Sequence, residues 1–143
     1  LDVKVGSEAP DFTLRDSKGN SFNLSDFENE KVVVLEFMNM GCGSCHSFEK
    51  DVLKSYCNST TMPEDVEVIS LTQTGDVSQE DLEERAEGKN WAYVFGSEEM
   101  TDAFGADRSP SIVIIDKDGI VTFSESGPMT ESELKEKVDE ALV

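Results

Sequence analysis

Cys42 and Cys45, in the stretch Gly41-Cys42-Gly43-Ser44-Cys45-His46, are the residues of this chain best suited to chemistry. A Cys-x-x-Cys pair serves disulfide exchange, zinc binding or, when histidine follows, covalent haem attachment. Its surroundings decide between these. Lys31 to Met38 is a nearly continuous, β-branched apolar run, the pattern of a strand buried on both faces. After the pair, Cys45, Phe48, Val52 and Tyr56 recur at the spacing of one helical stripe. A strand running into a helix puts Cys42 at or near the helix N-terminus, where unpaired N–H groups and the positive end of the dipole stabilise a thiolate. Thiols so placed have pKa values lowered from about 8.5 into the range of about 3.5–7.5. Cys45, one turn further in, is set to attack a mixed disulfide on Cys42 and release the product. Cys42 is therefore read as the nucleophile and Cys45 as the resolving thiol, with the intervening Gly43 and Ser44 as substrate contacts.

Two further features bear on that chemistry. Glu36 interrupts the apolar run, where a charge is costly without a role. Strand alternation can aim it toward the base of the following helix, beneath Cys45. A carboxyl buried there has a raised pKa and can pass a proton to or from the resolving thiol. The plainer reading is an acid at a strand edge facing solvent. Ser109-Pro110 stands just before the apolar run Ser111–Ile115. A proline at such a point is often cis, and a cis-Pro110 loop facing the cysteines leaves the Ser109 backbone free to pair with an extended substrate. A trans-proline starting the strand is the alternative.

Rival chemistries use the same residues. Cys42, Cys45 and His46, the one histidine of the chain, spell a c-type haem attachment signature. That reading makes the protein an electron carrier, and the strand-to-helix setting argues against it. Cys42, Cys45, His46 and Cys57 would be a zinc set, but an intact helix separates Cys57 from Cys45 by about 18 Å, and zinc needs its sulfurs within about 2.3 Å. Neither metal nor any cofactor beyond the redox-active disulfide is expected. The same separation leaves Cys57 a free, buried and inert thiol. A thiol peroxidase is the nearest enzymatic alternative, but the Pro-x-x-x-Thr-x-x-Cys context of peroxiredoxins is absent.

The elements that must position these residues alternate in type. Phe12 and Leu14, a turn at Asp16–Asn20, then Phe22 and Leu24 predict an N-terminal hairpin. Val66–Leu71 alternates as a second strand, Ser78 opens an acidic helix closed by Gly88, and Ser97–Phe104 is a helix ended by Gly105. Trp91, Tyr93 and Phe95 read as an alternating strand or loop edge. Ser111–Ile115 turns through Asp116–Gly119 into Ile120–Phe123, and Thr130–Glu133 is a capping box before a helix carrying Leu134, Val138 and Leu142. This succession predicts an α/β layer fold, and a length of 143 residues suits one domain over 1–143.

Charge narrows the partners. With 31 acidic and 12 basic residues the net charge is −19. Such a surface repels phosphate backbones and anionic lipid, keeps the chain soluble and monomeric, and suits high-salt surroundings. Neither nucleic acid nor a membrane surface is an expected partner. The sequence starts at Leu1 rather than Met, which suggests that an N-terminal signal or anchor has been removed.

Together these motifs resemble the thioredoxin superfamily, in its TlpA/ResA-like branch related to AhpC/TSA proteins. The resemblance rests on Ala9-Pro10-Asp11-Phe12-Thr13-Leu14 with Gly19 and Phe22–Leu24, on Val33–Met38 with Cys42-Gly43-Ser44-Cys45, and on Ser109-Pro110 followed by Ile114–Gly119. It implies a thioredoxin fold: a central mixed sheet flanked by helices, an N-terminal hairpin extension, and cis-Pro110 beside the cysteines. Glu36 falls where thioredoxins keep a buried acid. The implied activity is thiol–disulfide exchange with protein thiols and disulfides and a redox partner protein, in the reducing direction. The implied compartment is outside the cytoplasm with a possible membrane anchor, a cytoplasmic one remaining open. Gly41 stands where the family usually has Trp, and Ser44 replaces the common Pro; both bear on potential and partner surface.

Overall fold

The apolar runs become strands because each is long enough to cross a sheet and apolar enough to be covered on both sides. The computed structural model describes residues 3–143. Its strands are β1 (Thr13–Asp16), β2 (Ser21–Asn23), β3 (Val32–Met38), β4 (Val66–Thr72), β5 (Ala92–Phe95), β6 (Ser111–Ile115) and β7 (Val121–Ser126). They form one sheet in the order β2-β1-β5-β4-β3-β6-β7. β3 and β4 pair in parallel, as do β4 and β5, while β6 runs antiparallel to β3 and β7 antiparallel to β6. The sheet is therefore mixed, with β1 and β2 added as an antiparallel hairpin against β5.

Strand alternation sorts the side chains into two cores. Val32, Val34, Met38, Ile112 and Ile114 face one side, together with Cys45, Phe48 and Tyr56 of helix α1. That helix begins as Gly43–Phe48, passes through a π-helical turn at Glu49–Leu53 and ends as Lys54–Asn58. The same face takes Leu82 of α2 (Gln79–Ala86) and Leu134 and Val138 of α4 (Glu131–Ala141). Val33, Leu35, Phe37, Val113 and Ile115 face the other side, against Leu14, Leu24 and the Met100 and Phe104 of α3 (Glu98–Phe104). Helices lie on both faces of a mixed sheet, as an α/β layer fold requires.

The helix ends are built locally. Ser78, Ser97 and Thr130 each accept a backbone N–H three residues on, and Thr130 with Glu133 completes a capping box. Gly105 ends α3 in the left-handed region at φ 63°, a conformation that glycine adopts without steric cost.

Two expectations are corrected and two are made more definite. The stripe expected through Val52 widens to take in Leu53, which is fully buried while Val52 is half-buried against the same core. The π turn holds one residue more than an α turn, which makes room for both before the stripe resumes at Tyr56. β4 does not alternate, because β3 and β5 flank it and both its faces meet core. The Trp91–Phe95 segment is the alternating strand rather than the loop edge: the N-terminal hairpin pairs with it, and Tyr93 and Val94 are buried on opposite faces. Cys57 is free, as expected, but half-buried rather than buried.

Candidate active site

β3 ends at Met38, and four residues later the chain reaches Cys42. A turn carries it there: the Cys42 N–H donates to the Asn39 carbonyl at 3.2 Å, and the Gly41 N–H to Asn39 Oδ1 at 3.1 Å. Cys42 has extended backbone angles and caps α1, its sulfur accepting the Cys45 N–H at 3.1 Å. The Ser44 hydroxyl lies 3.4 Å from the same sulfur. Cys42 is half-buried, whereas Cys45 is fully buried one turn inward. The two are joined as a disulfide with Cα atoms 5.3 Å apart. Gly43, Ser44 and His46 are exposed beside them.

Glu36 sits on β3 with its carboxyl fully buried, not at a solvent-facing edge. It belongs to the same alternating set as Val34 and Met38, which face α1, and that face was the expected one. In the sheet it lies opposite Ser70 of β4, which lies opposite Tyr93 of β5. Polar groups fill this row. The Trp91 indole N–H donates to Ser70 Oγ at 2.9 Å, and Ser70 donates to Glu36 Oε1 at 2.7 Å. Glu36 Oε2 receives no donor among the described residues. Burial above all, then the charge of nearby Glu49, push the Glu36 pKa well above the usual carboxylate range, so burial favours its protonated form.

Glu49, on the π turn of α1, was not anticipated. It is fully buried and holds a bidentate ion pair with Arg85 of α2, Nε to Oε1 at 2.8 Å and Nη2 to Oε2 at 2.9 Å. The Tyr93 hydroxyl donates to Oε1 at 2.6 Å, and burial with the Glu49 charge raises its pKa, so it stays a donor. Arg85 also reaches the Met40 carbonyl in the cysteine loop at 3.4 Å. A trace of this was legible: Glu49 is an acid one turn after Cys45 on an otherwise apolar stripe, and Arg85 stands three residues after Leu82 on the buried face of its own helix.

The third element is the loop before β6. The Ser109-Pro110 peptide is cis, Pro110 is buried, and Ser109 is half-buried. β3 and β6 are antiparallel neighbours with Phe37 opposite Ser111, so the end of β3 and the start of β6 emerge together. Asn39 bridges them, its Nδ2 donating to Ser109 Oγ at 2.9 Å. Among the described residues, the Ser109 N–H and C=O bond to no backbone group. The sheet thus brings Cys42, Cys45, Ser109 and Pro110 to one end and Glu36 to the buried face below. Cys57 takes no part, and burial followed by the nearby Glu67 pushes its thiol up to about 12.

Among the described residues no group of three or more His, Cys, Asp or Glu is arranged to hold a metal ion. The two sulfurs that a haem would need as thioethers are bonded to each other. The arrangement is suited to moving two electrons between a buried and an accessible sulfur.

Comparison with known proteins gives the same picture. The sequence pattern of the family described as Redoxin matches residues 4–142. The thiol-disulfide oxidoreductase ResA of Geobacillus kaustophilus is 30% identical over 143 aligned residues, covering 96% of this chain and 78% of that protein. ResA of Bacillus thuringiensis is 28% identical over 138 residues, 94% of this chain and 76% of that one. Of solved structures, the thioredoxin domain of a Bacteroides vulgatus thiol-disulfide oxidoreductase superposes with TM-score 0.77 at 25% identity, covering 96% of this chain and 99% of that one. A Chlorobium tepidum structure described as a thiol:disulfide interchange protein DsbE gives TM-score 0.82 at 21% identity, over 99% and 100% of the two chains, and speaks for the fold.

Proposed function

The chain belongs to the Redoxin family and is a thiol–disulfide oxidoreductase, and from that premise we propose that it reduces protein disulfides, with Cys42 attacking and Cys45 resolving. It does so as one thioredoxin-like domain over residues 1–143 and as a monomer, its charge of −19 opposing self-association. The observation that carries this reading is the asymmetry of the pair: one sulfur half-buried at a helix cap, the other fully buried a turn below.

In the dithiol form the Cys42 thiolate attacks one sulfur of a substrate disulfide. That S–S bond breaks, one substrate thiolate leaves, and a mixed disulfide forms on Cys42. Cys45 then loses its proton and attacks the Cys42 sulfur, releasing the second substrate thiolate and closing the Cys42–Cys45 bond. Two electrons pass to the substrate, and a partner protein of dithiol character returns them. Glu36, as a carboxylate, is the base that receives the Cys45 proton. The neutral Glu36 that burial favours beside the disulfide agrees with its state after that transfer. An extended substrate segment pairs with the free Ser109 backbone next to cis-Pro110, with Gly43 and Ser44 as its other contacts.

The reducing direction is supported by the neutral character of the groups on Cys42. A backbone N–H and a hydroxyl stabilise its thiolate less than a cation would, and the net charge of −19 opposes an added anion. A less stabilised thiolate favours the disulfide form of the enzyme and hence a low potential. Substrate disulfides persist outside the cytoplasm, where we place the reaction. No helix among the described residues is long and apolar enough to cross a membrane.

Equilibration in dithiothreitol redox buffers, read by mass spectrometry after alkylation, tests the direction. A two-electron transition near the thioredoxin value of about −270 mV is expected, and one near about −120 mV marks an oxidant instead.

A further inference from the structure

The cysteine loop and the proline loop lie far apart in sequence, and a polar bridge joins them above the sheet. Asn39 follows β3 and Gln73 follows β4, and their strands are parallel neighbours. The Gln73 N–H donates to the Met38 carbonyl at 2.8 Å, which sets Gln73 beside Asn39. Gln73 Nε2 donates to the carbonyls of Ala106 at 2.7 Å and Arg108 at 2.9 Å, so both of its amide hydrogens hold the loop that leads to cis-Pro110. Its carbonyl oxygen is thereby turned to Asn39, whose Nδ2 reaches it at 3.5 Å and donates to Ser109 Oγ at 2.9 Å. Asn39 Oδ1 accepts the Gly41 N–H at 3.1 Å. Each amide has one end fixed by a partner that can only donate or only accept, so neither orientation is interchangeable.

Asn39 is therefore tied at one end to the residue before Cys42 and at the other to the residue before cis-Pro110. Gln73 is largely buried and anchors the second loop through main-chain carbonyls, independently of the side chains that loop carries. The Ser109 hydroxyl is taken up by this bridge while the Ser109 backbone remains unpaired. We infer that Asn39 and Gln73 are positioning residues that set the spacing between Cys42 and the Ser109 backbone. They thereby select extended polypeptide disulfides over small-molecule disulfides. The inference rests on the proposed reductase reading, in which substrate backbone lies along Ser109. A polypeptide must engage both loops at once and is sensitive to their separation. A small disulfide needs only the Cys42 sulfur.

The test compares two substrates, a disulfide-linked extended peptide and a small aromatic disulfide, for wild-type protein and the variants Asn39→Ala, Ser109→Ala and the double variant. Loss of the bridging bond is expected to raise the peptide KM about tenfold, with kcat changed by less than about threefold. The ratio of peptide to small-disulfide kcat/KM then falls by about the same factor of ten. Ser109→Ala loses only the Asn39–Ser109 bond and is expected to show the same selective loss as Asn39→Ala, which also gives up its bonds to Gly41 and Gln73; the double variant should be no worse than Asn39→Ala, because the shared bond is already gone. Ser109→Ala removes only a hydroxyl and keeps the readout should Asn39→Ala misfold. An equal loss on both substrates, additive single effects or an unchanged peptide KM would each overturn the inference. Wild-type protein inert toward both disulfides would instead sink the reductase reading on which it rests.

Discussion

Glu36 of β3 and Glu49 of α1 are both fully buried on one side of the sheet, where the charge of Glu49 helps to raise the Glu36 pKa. Two carboxylates cannot both be charged at such a place without a large Coulombic penalty. Their partners divide them. Arg85 and Tyr93 attach to Glu49, whereas Ser70 alone donates to Glu36. Burial beside the disulfide therefore favours the proton on Glu36, the residue whose register aims it at the α1 side on which Cys45 is buried.

Glu36→Gln keeps an acceptor for Ser70 but cannot exchange a proton. Its folded pKa is raised, so the native state holds a proton that the unfolded chain gives up at about 4.3. The stabilisation is full below that value and is lost as pH rises toward the folded pKa, at about 1.4 kcal/mol per unit. The charge of Arg85, on α2, opposes this rise in the Glu36 pKa, and Lys89 lies beyond that helix. Melting curves between pH 5 and 8 should therefore show wild type losing stability relative to Glu36→Gln as pH rises. In single-turnover exchange the variant should resolve the mixed disulfide at least about tenfold more slowly, with the pH dependence of that step flattened.

Arg85→Met leaves the Glu49 charge buried without a counterion, which costs about 3–5 kcal/mol. Adding Glu49→Gln to that variant should restore most of the loss, because the stranded charge is then gone. Urea unfolding of the two single variants and the double variant measures this coupling. Additive losses would show that the pair is not the stabilising unit.

Much of this was legible in the sequence, and what was missed has one cause. Val32–Met38 running into Cys42 announced a buried strand and a helix cap, because hydrophobic pattern and local spacing determine both. Ser78, Ser97 and Thr130 likewise signalled their helices through short-range hydrogen bonds. Glu49 and Arg85 escaped because their meaning lies in a contact between two helices, which the spacing within either one does not show. Leu53 escaped because the π turn adds a residue to the buried stripe. The Asn39–Gln73 bridge escaped for a related reason: polar residues just past strand ends are indistinguishable from loop composition until the sheet order makes them neighbours.

Gly96, between β5 and α3, offers a steric test of that sheet order. A Cβ there would fall well inside van der Waals contact with the Thr72 carbonyl oxygen of β4, and the Gly96 N–H donates to Thr72 Oγ1 at 3.0 Å. Gly96→Ala should destabilise by about 1–3 kcal/mol or more, read as a lowered melting temperature. Gly43 has no atom within reach of an added Cβ, so Gly43→Ala should leave the melting temperature nearly unchanged.

Cys57 is expected to be a bystander. With its thiol pushed up to about 12, alkylation of the reduced protein at pH 8 should label Cys42 quickly and Cys57 slowly. Cys57→Ser should preserve disulfide exchange within about twofold, since that site lies outside the sulfur couple.

The most direct measurement is to trap the intermediate. Cys45→Ser protein, reduced and mixed with a disulfide-bearing polypeptide, should accumulate a stable mixed disulfide that peptide mapping assigns to Cys42, and Cys42→Ser should accumulate none. Trapping through Cys57, or through Cys45 in the Cys42→Ser protein, would contradict the assignment of the half-buried cap sulfur as the one that meets the substrate.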